Sequence, residues 1–225
     1  MIVFFLGELV RMLRAALGAL TAPSGTRPST DARHLGYLIV GTIPIGVVGL
    51  LLRHAVEGAF RSLWVVAIAL IVVAVALAWV ERRKPAHGRD LDSIDLRDAI
   101  LIGCAQALAL VPGVSRSGIT LLAAMALGIR RDAAARFSFL LLIPIVLGAV
   151  LYKGLKHVVL EPLPSGSAGP FVVGTIAAAG VGLIAIDVLL GYLRKHDYTP
   201  FVLYRLALAV AIAAIILSGW RGASF

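Results

Sequence analysis

Long apolar runs separated by short polar loops set the pattern of this chain. Residues 36–52, 62–80, 137–152, 171–193 and 201–220 are almost wholly apolar. Each lies close to the roughly 17–25 residues that a bilayer crossing takes as a helix. Trp64 and Trp79 bracket the second run as interfacial anchors. In the first run Pro44, Gly41, Gly46 and Gly49 predict kinks and close helix contacts, and Pro144 stands in the third. Residues 1–6 are too short to span, and no signal peptide can be built from them. Residues 1–35 therefore read as a helix tail followed by a loop. The pattern predicts one domain over residues 1–225, an all-α polytopic membrane bundle. Two transmembrane helices fall within 36–80 and three within 137–220.

Residues 99–127 break the pattern. Within this apolar run stands Pro112-Gly113-Val114-Ser115-Arg116-Ser117-Gly118-Ile119-Thr120, which brings an arginine and three hydroxyls to membrane depth. An ionisable group there costs at least about 2.5 kcal/mol on insertion scales, so by default it marks a functional site. The planar fork of Arg116 matches phosphate oxygens, and the hydroxyls of Ser115, Ser117 and Thr120 add donors. Gly113 and Gly118 let the backbone turn and approach a ligand. The loop is a candidate anion site, with phosphate the best chemical match. The structural alternative is a polar break that pairs with a neighbouring helix and binds nothing. Gln106 either lines the site or makes a helix–helix hydrogen bond.

The same glycines and proline divide 99–127 into halves of about thirteen and nine residues, neither of which crosses at about 1.5 Å of rise per residue. The segment is then either one broken span or a re-entrant hairpin. Charge arbitrates between them. With a re-entrant hairpin, 15 of the 21 Lys and Arg residues fall on one face and 5 on the other, with Arg116 in the loop; a span gives 12 to 8. The sharper asymmetry favours the hairpin, its mouth cytoplasmic and its tip reaching toward the midplane and opening outward.

Composition agrees. Of 225 residues, 60% are hydrophobic and 15% charged, with a mean hydropathy of +0.97, which excludes an ordinary soluble domain. A net charge of +9 invites a nucleic-acid reading. However, the cations sit in short loops with no interleaved aromatic stripe, so no nucleic-acid partner is expected. Cys104 is the only cysteine, and the five histidines are scattered. Neither a disulfide framework nor a metal site built from Cys or His is expected.

The run from Gln106 to Thr120 resembles the signature of the bacterial undecaprenyl-diphosphate phosphatase family, the bacitracin-resistance type. The resemblance continues through Leu127-Gly128, Arg131, Ala134-Ala135-Arg136-Phe137-Ser138-Phe139-Leu140 and Pro144. It resumes at Phe201 and Tyr204-Arg205, and covers Thr42-Ile43-Pro44 and Glu81-Arg82. It implies two inverted repeats, each giving a re-entrant hairpin to one site. The first of these carries an E-x-x-x-E pair and a P-x-S-S-S-G-H loop. Neither motif is found here, so an N-terminally truncated member is expected, lacking the acidic ligands of the divalent cation (Mg²⁺ or Ca²⁺) that the resemblance implies. Little or no activity is expected of such a form.

Under the resemblance, Arg116 clamps a lipid diphosphate, while Ser115, Ser117 and Thr120 donate to phosphoryl oxygens or order the loop. Gly113, Ser117, Gly118 and Gln106 complete the binding set. Ser115 is a ligand rather than a nucleophile, because the hairpin offers no adjacent base. Arg136 reads as an anchor, Arg205 as an anchor or a residue that pairs in the last span, Asp187 as a residue near the interface, and Glu8 as no substitute for the missing acids. Membrane and lipid diphosphate are the partners, with a homodimer also considered, in the bacterial plasma membrane. A lipid-phosphate transporter or flippase and an inactive lipid-diphosphate binder are the alternative functions.

Overall fold

The computed structural model describes residues 2–23, 28–52, 62–83, 88–154, 168–193 and 195–219. Arg27, Arg53, Arg61, Lys84, Lys156, Arg194 and Arg221, which enter the charge count, lie outside the described residues. The described helices are α1 (Leu6–Thr21), α2 (Thr30–Leu51), α3 (Leu63–Arg82), α4 (Leu96–Ala107), α5 (Arg116–Ala126), α6 (Arg131–Gly154), α7 (Ala168–Leu193) and α8 (Thr199–Leu217). Five of them (α2, α3, α6, α7 and α8) are long and apolar enough to cross a membrane. The protein is an all-α polytopic membrane bundle.

At the N-terminus, where residues 1–35 read as a helix tail followed by a loop, the helix is longer than a tail. Leu6–Thr21 is a helix of 16 residues. Its polar positions obscured an amphipathic period: Phe5 and Met12 are buried and Leu9 packs against the core, while Glu8 on the same side reaches across to pair with Arg136 on α6. Arg11 and Arg14 remain exposed.

α2 starts on Ser29, whose side chain accepts from the Ala32 N–H, and both α2 and α6 run on through their prolines, Pro44 and Pro144. α2 crosses α4 at a pair of glycines. A Cβ at Gly103 would lie 2.4 Å from the Gly41 carbonyl oxygen, and one at Gly41 would lie 2.9 Å from Leu141. Gly46 has no such neighbour, so of the two only Gly41 makes the close approach expected of small residues between membrane helices. The core runs along α6, where Phe137, Leu140, Leu141 and Ile143 are buried with Leu38 and Ile102. α3 pairs with α8, and α5 packs between α4, α6 and α3.

The two ends of the broken segment meet. The Arg89 N–H, ahead of α4, donates to the Gly128 carbonyl at 2.8 Å, and the Arg130 N–H donates back to the Arg89 carbonyl at 2.8 Å. The Arg89 side chain meanwhile forks onto both oxygens of Asp98, at 3.1 and 2.6 Å. Asp98 itself closes a reciprocal cap with Asp95 at the start of α4. The chain thus enters and leaves the α4–α5 hairpin at one place, as a re-entrant segment must.

Candidate active site

The tip of the hairpin is set by steric constraint. After α4 the chain makes a 3₁₀ turn, Leu108–Leu110, and reverses at Pro112-Gly113. Gly113 has φ +93, and a Cβ there would lie 2.6 Å from the Val66 carbonyl oxygen of α3. Only glycine meets both conditions. Ser115 then caps α5, its hydroxyl accepting from the Gly118 N–H at 3.2 Å and lying 3.4 Å from the Ser117 hydroxyl. A Cβ on Gly118 would crowd the Ser115 side chain at 3.1 Å. The opening N–H groups of α5 face the loop without intrahelical acceptors, the arrangement that binds anions at helix N-termini.

Arg116 is the first residue of α5. It is half-buried, and its guanidinium has no hydrogen-bond or ion-pair partner among the described residues. A cation at a helix N-terminus opposes the macrodipole, so Arg116 and the helix raise positive potential at the same place. The loop also draws on a second arginine. Arg205, on α8, donates from Nη2 to the Gly113 carbonyl at 2.8 Å and would lie 3.9 Å from a Cβ on Gly118. Of the two sequence readings, anchor or pairing residue, the second holds: Arg205 reaches across the bundle and holds the loop. The rule that singled out Arg116, a cation in an apolar run, applies equally to Arg205 and could have found it.

Ser115, Ser117 and Gly118 form one wall of a cavity of about 250 Å³ alongside α5. Arg205, Ser138 and Tyr198 line it as well, with apolar surface from Leu121, Phe139 and Leu189. Ser138 falls inside the resembling stretch, whereas Tyr198 carried no signal in the sequence. Burial pushes the Tyr198 phenol well up, so it stays an O–H donor. Four other sequence candidates do not line the cavity, among them Gly113, whose carbonyl Arg205 holds. Arg116 does not line it. Thr120, 1% exposed, points its hydroxyl at the Arg116 and Ser117 carbonyls, 3.0 and 3.2 Å away. Gln106, fully buried, donates to the Gly41 carbonyl at 3.4 Å, in the α2–α4 contact and not at the loop. Arg136 is taken up by Glu8, and Asp187 is exposed on α7.

Every polar group at this site is suited to an anion. Hydroxyls, guanidinium groups and helix N–H groups are donors, and among the described residues no three His, Cys, Asp or Glu side chains come together as a metal-ligand set. The described residues therefore do not fit a divalent cation held by side chains.

A family profile described as bacitracin resistance protein BacA matches residues 1–211. A relative from a Nocardioides species, named undecaprenyl-diphosphatase, is 42% identical over 97% of this chain and 78% of its own length. One of the same name from Myxococcus xanthus is 41% identical over 97% of this chain and 72% of its own length. Another from Gemmatimonas aurantiaca is 45% identical over 83% of this chain and 68% of its own length.

Proposed function

We propose that this chain, which belongs to the bacitracin resistance protein BacA family, hydrolyses undecaprenyl diphosphate to undecaprenyl phosphate and inorganic phosphate. It is a multi-pass bacterial membrane protein, and the reaction returns a lipid carrier to cell-wall synthesis. Water adds to the terminal phosphorus, the bridging P–O bond breaks on the lipid side of that phosphorus, and one phosphoryl group stays on the prenyl chain. The observation that carries the reading is Arg116, unpaired among the described residues, at the helix start of a capped loop inside the span that the family profile covers.

In such a reaction charge spreads over the phosphoryl oxygens, and positioned cations stabilise it. Arg116 clamps the diphosphate. Ser115 and Ser117 order the loop and present hydroxyls to the phosphoryl oxygens, and Gly113 and Gly118 let the backbone approach them. Thr120 fastens the first turn of α5 from within, and Gln106 fastens α4 to α2. A divalent cation is compatible with a phosphatase of this family, but no step here is assigned to one. The transporter and the inactive binder find no support, since the relatives matching nearly the whole chain carry the phosphatase name. A homodimer is a separate proposal; light scattering of the detergent-solubilised protein tests it, and a monomer mass would remove it.

The test of function is phosphate release from a prenyl diphosphate by the purified chain. Against the little activity expected from the missing first-hairpin motifs, release that depends on Arg116 is expected, because relatives matching 97% of this chain carry the phosphatase name. Transport of intact diphosphate across vesicles without release would overturn the assignment.

A further inference from the structure

Hydrolysis leaves a phosphoryl group on the lipid, and that anion needs donors of its own once it is out of water. The cavity beside α5 holds donors that the loop does not use. Ser138 Oγ on α6, Tyr198 Oη ahead of α8 and Arg205 Nε on α8 are buried, with no hydrogen-bond partner among the described residues. All three residues line the cavity that Ser115 and Ser117 share. Ser138 is 3% and Tyr198 4% exposed. Buried polar groups are nearly always paired, so three orphan donors on one cavity mark the place of an acceptor-rich occupant. The remaining wall, including Leu121, Phe139, Leu189 and Phe201, is apolar. A polar patch facing apolar walls is the complement of a phosphate carried on a hydrocarbon chain.

We propose that this cavity is a prenyl-monophosphate site, in which Ser138, Tyr198 and Arg205 hold the phosphoryl group that stays on the lipid. Arg116, which lies outside the cavity, serves the phosphoryl group that leaves. The division of labour rests on the phosphatase reading and adds to it a site for the product. Tyr198 suits the role because its phenol stays protonated. Ser138 suits it because the hydroxyl is held on α6 among core residues and loses little freedom on binding.

The test uses the full chain in detergent, with farnesyl phosphate and inorganic phosphate as probes and farnesyl diphosphate as substrate. Ser138→Ala and Tyr198→Phe each remove one hydroxyl and keep the packing. Each is expected to weaken farnesyl phosphate binding about tenfold, the effect of one hydrogen bond to a charged group, while inorganic phosphate binding stays within about twofold. If Ser138→Ala melts early, Ser138→Cys keeps the volume with only a weak donor and gives the same reading. Unchanged farnesyl phosphate affinity in the double variant means that the cavity holds water only, and overturns the site. A wild type that hydrolyses farnesyl diphosphate yet holds farnesyl phosphate no better than inorganic phosphate also overturns the site, leaving the phosphatase reading intact. A wild type that neither hydrolyses nor binds defeats both.

Discussion

Arg116 stands where a helix least favours a cation, at the positive end of α5 with no counter-charge among the described residues. An unfavourable placement kept in an apolar environment implies an anionic ligand. Arg116→Ala is expected to cut kcat/KM for prenyl diphosphate by roughly 10³-fold or more, as removal of a phosphoryl-transfer arginine does, with the melting temperature held. Arg116→Lys retains charge but not the fork, and most of that loss should remain. Near-normal turnover by Arg116→Ala would remove the clamp. Gly113→Ala fails for another reason: a left-handed φ costs a side chain roughly 1–2 kcal/mol, and the Val66 carbonyl at 2.6 Å leaves no room. Its melting temperature should fall clearly, and an unshifted melt would mean the loop repacks freely. At this scale the sequence disclosed the polar types in the loop but not their directions. Ser115 and Ser117 line the cavity, while Thr120 bonds carbonyls of its own helical turn and Gln106 the Gly41 carbonyl across the α2–α4 contact.

Among the elements, the α4–α5 hairpin depends on the Arg89–Asp98 clasp. Burial alone would push the Asp98 carboxyl up, but hydrogen bonds from Arg89 and from the Asp95 backbone N–H outweigh it and hold the carboxyl below the usual carboxylate range. A carboxyl with a depressed folded value stabilises the fold fully above its ordinary pKa, and that contribution is lost as pH falls through the folded value. The melting temperature of the detergent-solubilised protein should therefore hold from neutral pH and decline below about pH 4. Asp98→Asn should show a smaller acid-dependent decline, and an identical one would mean that the clasp contributes nothing. The α2–α4 crossing makes a second demand. Gly103→Val puts carbon onto the Gly41 backbone and should destabilise by more than the ~1–3 kcal/mol typical of overpacking, because backbone cannot move aside as a side chain can. The long apolar helices were legible because bilayer thickness fixes their length. The full length of the amphipathic α1 was not, since Glu8, Arg11 and Arg14 interrupt the apolar run and Glu8 finds its partner, Arg136, on the far side of the sequence.

For the whole molecule, the charge split assigns both ends of the hairpin to the cytoplasm, and the bonded pair at Arg89 and Gly128 places those ends together. After Cys104, which is exposed, is replaced by serine, single cysteines at Asp92 and at Asp132 should both react with an impermeant thiol reagent only from the cytoplasmic side. Reaction from opposite sides would turn the hairpin into a span. The spanning helices could be read from sequence because they follow from hydropathy. The cavity could not, because it is assembled by Ser138, Tyr198 and Arg205 from segments that no local pattern links. The bonded mouth of the hairpin also bears on how the protein is made. Arg89 finds its backbone partners about 40 residues later in the chain, and neither half of the hairpin is long enough to rest across a bilayer alone. On the ribosome, α4 and α5 therefore have no settled place until Arg130 has emerged and α6 follows with Phe137 and Leu141 to pack on. A nascent chain halted before that point carries the loop proposed to bind phosphate unprotected, so the segment proposed to act is the one whose insertion waits on what is translated after it.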